Sequence, residues 1–198
     1  MRKIVAAISL TLDGVMQAPG RPDEDRRGGF EHGGWARAYH DSVMMQAMGK
    51  GMAQGADLLF GRRTYEDFFA VWPGRKDNPF TAVLDNSQKY VASRTLREPL
   101  PWQNSTLLEG DAAETVARLK EQPGKDLTVL GSGDLLQTLM RHGLVDEYVL
   151  LIHPLVLGRG NRLFTDDAHR SALRLVRCVT TTTGVLIATY RSDATEGR

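Results

Sequence analysis

The stretch TVLGSGDLL, residues 128–136, runs from β-branched and apolar residues into two glycines and then directly into a leucine-rich segment. A strand that stops at glycine and turns at once into a helix marks an α/β chain. The helix expected over 134–143 carries Leu135, Leu136, Leu139 and Met140 as one stripe, with Gly143 as its stop. A helix start offers free backbone N–H groups and a partial positive charge, and glycine lets a phosphate approach them. On these residues alone, a phosphate cradle and a plain turn with an Asp134 cap are equally supported, and the cradle needs Asp134 as an outward-facing cap with the phosphates over Gly131–Gly133. The match to the dinucleotide fingerprint G-x-G-x-x-G is poor, because Leu136 stands where the third glycine belongs.

The same layout recurs upstream. FGRRTYE (60–66) joins a strand to a helix through Gly61, with Arg62, Arg63 and Thr64 at the helix start. VASRT (91–95) ends another strand with Ser93 and Arg94. In a parallel sheet, all three junctions lie at the carboxyl ends of strands, where open α/β sheets bind ligands. Glycine N–H groups, two hydroxyls and several guanidiniums suit a dinucleotide bearing a 2′-phosphate, which favours NADPH over NADH.

KIVAAISL (3–10), ADLLFG (56–61), KYVAS (89–93), STLLEG (105–110), DLTVLG (126–131), EYVLLIHPLVLG (147–158), LRLVRCVTTTT (173–183) and VLIATYR (185–191) read as strands, the last two separated by Gly184. Helices are expected over 35–54, 63–72, 111–122 and 134–143. Eight strands and four helices, alternating first and running together at the end, give an α/β three-layer arrangement. Its mixed, mostly parallel eight-stranded sheet carries helices on both faces and closes in an antiparallel hairpin. Residues 1–192 are expected to form a single domain and 193–198 a disordered tail. Residues 13–34 are too rich in Gly, Pro and charge for a core element. Their Met16 and Phe30, with Trp35 just beyond, suggest a long loop that packs over something.

The chain has 198 residues, 41% hydrophobic and 25% charged, with 25 basic against 24 acidic side chains. A net charge of +1 gives no electrostatic case for nucleic acid or an anionic membrane surface. No apolar run reaches the roughly 18 residues that span a bilayer. The start MRKIVAAISLTLDG is a better buried strand than a signal peptide, because Asp13-Gly14 interrupts it, so a cytoplasmic location is expected. Cys178 is the only cysteine, and the histidines share no ligand spacing with acids, so no metal is expected. His153 reads as a satisfied core histidine.

SLTLDGVMQAPG, FEHGGW, LLFGRRTYE, VASRT, TVLGSGDLLQTLMRHGLVDEYVLLIHPLVLGRGNRLF and GVLIATYR occur in this order between Arg2 and Arg191. Together they resemble the dihydrofolate reductase superfamily, in the branch related to the reductase domain of bacterial riboflavin biosynthesis. The resemblance implies the dihydrofolate reductase-like sandwich, NADPH as hydride donor and a homodimer. It places Gly61, Arg62 and Thr64 at the cofactor phosphates, Ser93 and Arg94 at the 2′-phosphate, and Gly131, Ser132, Gly133 and Leu135 at the pyrophosphate turn. Ala6, Ala7 and the loop at Asp13-Gly14 correspond to the strand and flap beside the nicotinamide. Dihydrofolate reductases have a cis Gly-Gly bond at this turn. Here the sequence is Gly131-Ser132, so the cis bond is not carried over. They also hold the pteridine with an acid on the first helix, where this chain offers only Asp41 without a convincing match, so the substrate is not carried over either.

Hydride transfer asks the protein for orientation, water exclusion and at most one proton. Asp13, after the first strand, is the candidate catalytic group, and a turn aspartate before glycine is the equal alternative. His32, Trp35 and Tyr39 could line a ring-shaped pocket, although such clusters more often belong to a core. The function expected is reduction of a small heterocyclic substrate, pterin-like or ribosylaminopyrimidine-like, or of a carbonyl compound. The alternative is a catalytically silent dimer that binds a dinucleotide or pterin.

Overall fold

In the computed structural model, which describes residues 1–53, 55–165 and 170–192, one eight-stranded sheet runs through the protein in the order β4-β3-β2-β5-β1-β6-β8-β7. The strands are β1 (Ile4–Thr11), β2 (Asp57–Gly61), β3 (Lys89–Ser93), β4 (Ser105–Glu109), β5 (Leu127–Leu130), β6 (Glu147–His153), β7 (Leu173–Thr180) and β8 (Leu186–Ser192). The first six are parallel to one another, while β8 pairs antiparallel with both β6 and β7. The expected tail at 193–198 lies outside the described residues.

Among the described residues five α-helices flank the sheet: α1 (Ser42–Ala53), α2 (Arg62–Val71), α3 (Pro79–Asn86), α4 (Ala112–Glu121) and α5 (Gly133–Arg141). Helices α4 and α5 cover one face, where Val116, Leu119, Leu135, Leu136 and Leu139 meet Ile4, Ala6, Leu59, Leu127 and Val129. Each leucine fully buried there contributes about 2 kcal/mol of transfer free energy. On the other face, Tyr65 of α2 and Leu84 of α3 pack with Leu58, Phe60, Val91 and Trp102. Met44 of α1 packs with Leu151, Val185 and Ile187. Between these two patches, Ala7 and Ser9 of β1 remain half-covered.

Several expected boundaries move. Helix α3 was not read from the sequence, although Asn78 caps it by accepting the Phe80 N–H at 2.9 Å and Pro79 opens it. Helix α1 begins at Ser42 and not at 35, because Arg37–Tyr39 form a 3-10 turn and Asp41 accepts the Met44 N–H at 2.8 Å. Strand β6 stops at His153, before Pro154, which has no N–H to continue the ladder. Thr181–Val185 form the hairpin turn, with Gly184 at φ +84°, so the threonine run is partly turn. There Thr182 and Thr183 donate to the Asp41 carboxylate from the neighbouring loop.

Candidate active site

The three strand-end junctions lie at one edge of the sheet because β2, β3 and β5 all run parallel. They open into a cleft of about 1530 Å³. Ala7, Gly61, Arg62, Arg63, Thr64, Ser93, Arg94, Gly131, Ser132, Gly133 and Leu135 all line it.

The turn after β5 holds Gly131 at φ +74° and Ser132 at φ +62°, two left-handed residues in succession. The only cis peptide among the described residues is Glu98–Pro99, so the Gly131–Ser132 bond is trans. Ser132, not Asp134, occupies the N-cap position of α5, and its side chain makes no capping bond. Asp134 instead points outward, 80% exposed, and accepts from the Arg63 guanidinium at 2.8 Å. Its expected capping role is therefore corrected, and the first-turn N–H groups of α5 stay clear of a carboxylate. The Ser132 hydroxyl oxygen accepts the Gly61 N–H at 2.9 Å, leaving its own O–H hydrogen to donate elsewhere.

Helix α2 also begins without a side-chain cap, at Gly61. Two helices thus present uncapped N-termini to one cleft, each with unpaired first-turn N–H groups and the positive end of its dipole. Helix α4, the third, is capped: Asp111 accepts from Ala113 at 2.9 Å and Glu114 at 3.2 Å. Asp111 also receives Arg94 at 3.2 Å in an exposed pair, and these bonds hold its carboxyl below the ordinary aspartate range. A Cβ built on Gly133 would sit 3.3 Å from Met16 Sδ, so the long loop reaches over the turn.

That loop is pinned by buried Gln17. The Gln17 amide donates to the carbonyls of Asp25 and Arg27, its Oε1 accepts the Asn161 N–H, and its own carbonyl accepts the Trp35 indole N–H. Trp35 and Tyr39 meet the buried His153 ring edge-on at 5.0 and 5.5 Å. His32 packs edge-on against Phe30. None of His32, Trp35 or Tyr39 lines the cleft. In this structure they pack around Phe30 and His153 beside the long loop.

Asp13, like Gly14, lies outside the cleft lining in this structure. Its carboxylate accepts from the Thr11 hydroxyl at 2.6 Å and from the N–H groups of Leu157 and Gly158 at 3.2 and 2.8 Å. Chiefly the Thr11 bond pulls its pKa down to about 2. Gly14, at φ +80°, closes the turn by donating to the Thr11 carbonyl. Together they fasten the loop to the segment after β6. His153 also departs from expectation. Its Nδ1 lies within bonding distance of the Leu10 and Leu151 carbonyls, but Nε2 has no partner.

Residues 2–187, nearly the whole chain, match the RibD C-terminal domain family. The chain belongs to that family. The uncharacterized protein YyaP of Bacillus subtilis (strain 168) is 32% identical over 195 residues, covering 96% of this chain and 94% of YyaP. Among solved structures, a Shewanella sp. PV-4 protein with a provisional riboflavin-biosynthesis name superposes with a TM-score of 0.71 at 21% identity. The match covers 96% of this chain and 99% of that one. Dihydrofolate reductase from Enterococcus faecalis, complexed with NADP(H), superposes with a TM-score of 0.59 at 14% identity, covering 96% of each chain. The RibD C-terminal domain family and its reductase-type, dihydrofolate reductase-like fold are therefore the setting of the cleft. Among the described residues no group of three or more His, Cys, Asp or Glu could hold a metal, and no helix is long and apolar enough to cross a membrane.

Proposed function

We propose that the chain is an NADPH-dependent reductase acting on a small heterocycle, pterin-like or ribosylaminopyrimidine-like, or on a carbonyl compound. The observation that carries this reading is the pair of uncapped helix starts, α2 and α5, facing one cleft across the Gly61–Ser132 bond. Such paired N-termini suit a pyrophosphate. The first-turn N–H groups of α5, the Ser132 hydroxyl and Thr64 would hold it, with the Met16 thioether that lies over Gly133 swinging aside. Ser93 and Arg94, at the end of β3, would take the 2′-phosphate. Arg94 is free to do so at little cost, because its pair with Asp111 is exposed. Bound there, the reduced nicotinamide supplies a hydride. Ala7, small and half-covered on β1, leaves room for a flat ring, and the loop carrying Met16 and Gln17 excludes water.

The test is calorimetric titration with NADPH and NADH, followed by NADPH oxidation at 340 nm across pterins, ribosylaminopyrimidines and simple ketones. Failure to bind NADPH overturns the reading, and binding without turnover supports the silent-dimer alternative.

A two-fold homodimer belongs to the same proposal. Strand β7 is the sheet edge, and Leu175, Val176 and Leu186 of the hairpin are exposed at 51%, 41% and 38%. An apolar edge of that kind invites a partner. Light scattering should report twice the 21.9 kDa of one chain. A single-chain mass at all concentrations rules the dimer out.

A further inference from the structure

Hydride delivery to a C=N or C=O bond leaves an electron pair on the heteroatom, which needs a proton. Among the described residues the cleft lining contains no His, Cys, Lys or Tyr, which leaves carboxyls as the acids that the described lining offers for that proton. Six carboxylates among the described residues line the cleft: Glu24, Asp25, Glu66, Asp67, Asp111 and Asp134. Five of them hold an arginine: Asp25 holds Arg27, Glu66 Arg62, Asp67 Arg21, Asp111 Arg94 and Asp134 Arg63. An arginine partner keeps a carboxylate ionised and spends its lone pairs. Glu24 has no such partner. Its Oε2 accepts the N–H groups of Gly20 and Arg21 at 2.7 and 3.0 Å, which fixes the carboxyl in place.

We propose, on the reductase reading above, that Glu24 donates the proton to the substrate heteroatom as hydride reaches the adjacent carbon. The hydride brings one hydrogen and two electrons to carbon, and the π pair of the double bond moves to nitrogen or oxygen. The Glu24 O–H bond breaks and a new N–H or O–H bond forms. The substrate leaves reduced, the nicotinamide oxidised, and the Glu24 carboxylate recovers a proton from solvent. The charged groups acting on Glu24 are Asp67 of α2 and, from its own loop, Arg21. Arg21 is engaged by Asp67 at 2.5 Å and lies 3.5 Å from Asp23. Burial pushes the Glu24 carboxyl above its ordinary value, against the pull of the two N–H groups; the Asp67 charge adds to the rise and the Arg21 charge opposes it. A shift in this direction suits a general acid.

The test uses the full chain and the Glu24→Gln variant, whose amide oxygen can still accept the two N–H groups. In 13C-glutamate-labelled protein, the Glu24 carboxyl should titrate above the ordinary glutamate value of about 4.3, and NADP+ should shift its signal. In the oxidation assay above, Glu24→Gln should lose about 100-fold or more in kcat. Its NADPH Kd should stay within about twofold of wild type, the change expected when no contact to the cofactor is lost. An ordinary titration, turnover equal to wild type, or loss of NADPH binding in the variant overturns the assignment of Glu24. Failure of the wild type itself to bind or oxidise NADPH overturns the reductase reading instead.

Discussion

The backbone N–H of Gly61 donates to the hydroxyl oxygen of Ser132 at 2.9 Å, joining two glycine turns that lie 71 residues apart in sequence. This bond fixes the spacing of two helix N-termini, which no local feature of either turn could set. Ser132 makes it from a left-handed conformation that costs a non-glycine residue about 1–2 kcal/mol.

Ser132→Ala therefore keeps the strain and loses the tether, and should destabilise the fold by about 1–2 kcal/mol through the unpaired Gly61 N–H. Ser132→Gly loses the tether but relieves the strain, and should be more stable than the alanine variant by about 1 kcal/mol. Urea unfolding of the three proteins measures both differences. Equal midpoints for the two variants would show that the turn stores no strain at this position.

Arg94→Ala should weaken NADPH by about 1.5–3 kcal/mol and leave NADH unchanged, as for loss of a charge-assisted contact to the extra phosphate. Because the Arg94–Asp111 pair is exposed, stability should change by less than about 1 kcal/mol. Equal losses for both cofactors would sink the 2′-phosphate assignment.

At the opposite end of the strands, Arg2 and Asp57 form a buried ion pair at 2.5 Å, and Arg2 also lies over the Tyr90 ring. Removing one partner strands a buried charge. Asp57→Ala should cost about 3–5 kcal/mol by denaturant unfolding without changing NADPH affinity. A cost under about 1 kcal/mol would mean that water reaches the orphaned guanidinium.

The parallel sheet and the three junctions were legible because glycine at a strand end and a leucine stripe are local signals. The ties of Asp13 are not legible for the opposite reason: its partners Leu157 and Gly158 lie about 144 residues away, and a turn carboxylate looks the same whatever it holds. For Trp35 and Tyr39, one sequence cannot tell an aromatic lining from an aromatic support. Glu24 was hidden in the charged run PDEDRR, where only the pairing of every neighbouring acid with an arginine sets it apart. Helix α3 alone was missed despite a local signal, Asn78 followed by Pro79.

Asp13 and Asp41 titrate low, each at about 2 against an ordinary 3.8, chiefly through hydroxyl bonds from Thr11 and Thr182. A carboxylate depressed in the folded state adds stability that is complete above the unfolded value and fades as pH falls through the folded one. The ties holding the long loop and the hairpin turn should therefore weaken between about pH 4 and pH 2. Asp13→Asn should lower the urea midpoint at pH 7, and that difference should vanish near pH 2. A constant difference across the range would show that the Asp13 charge is not what holds the loop.

Gly133 separates a phosphate cradle from a plain turn. Its φ is not left-handed, and it is the first residue of α5, so a β-branched side chain meets no backbone penalty beyond ordinary helix propensity, about 0.5 kcal/mol. What a side chain would meet is Met16 Sδ, 3.3 Å from the added Cβ, and that thioether can swing away. Gly133→Val should therefore fold with a thermal midpoint within a few degrees of wild type. In the cleft, however, the valine methyls occupy the space through which the α5 N–H groups would reach a phosphate oxygen within about 3 Å. NADPH binding should fall below detection in calorimetry, whereas Gly133→Ala, with one methyl, should weaken it by a smaller step. If the valine variant binds NADPH as wild type does, the residues around Gly131 and Gly133 form only a turn, and the paired helix starts no longer support a dinucleotide site.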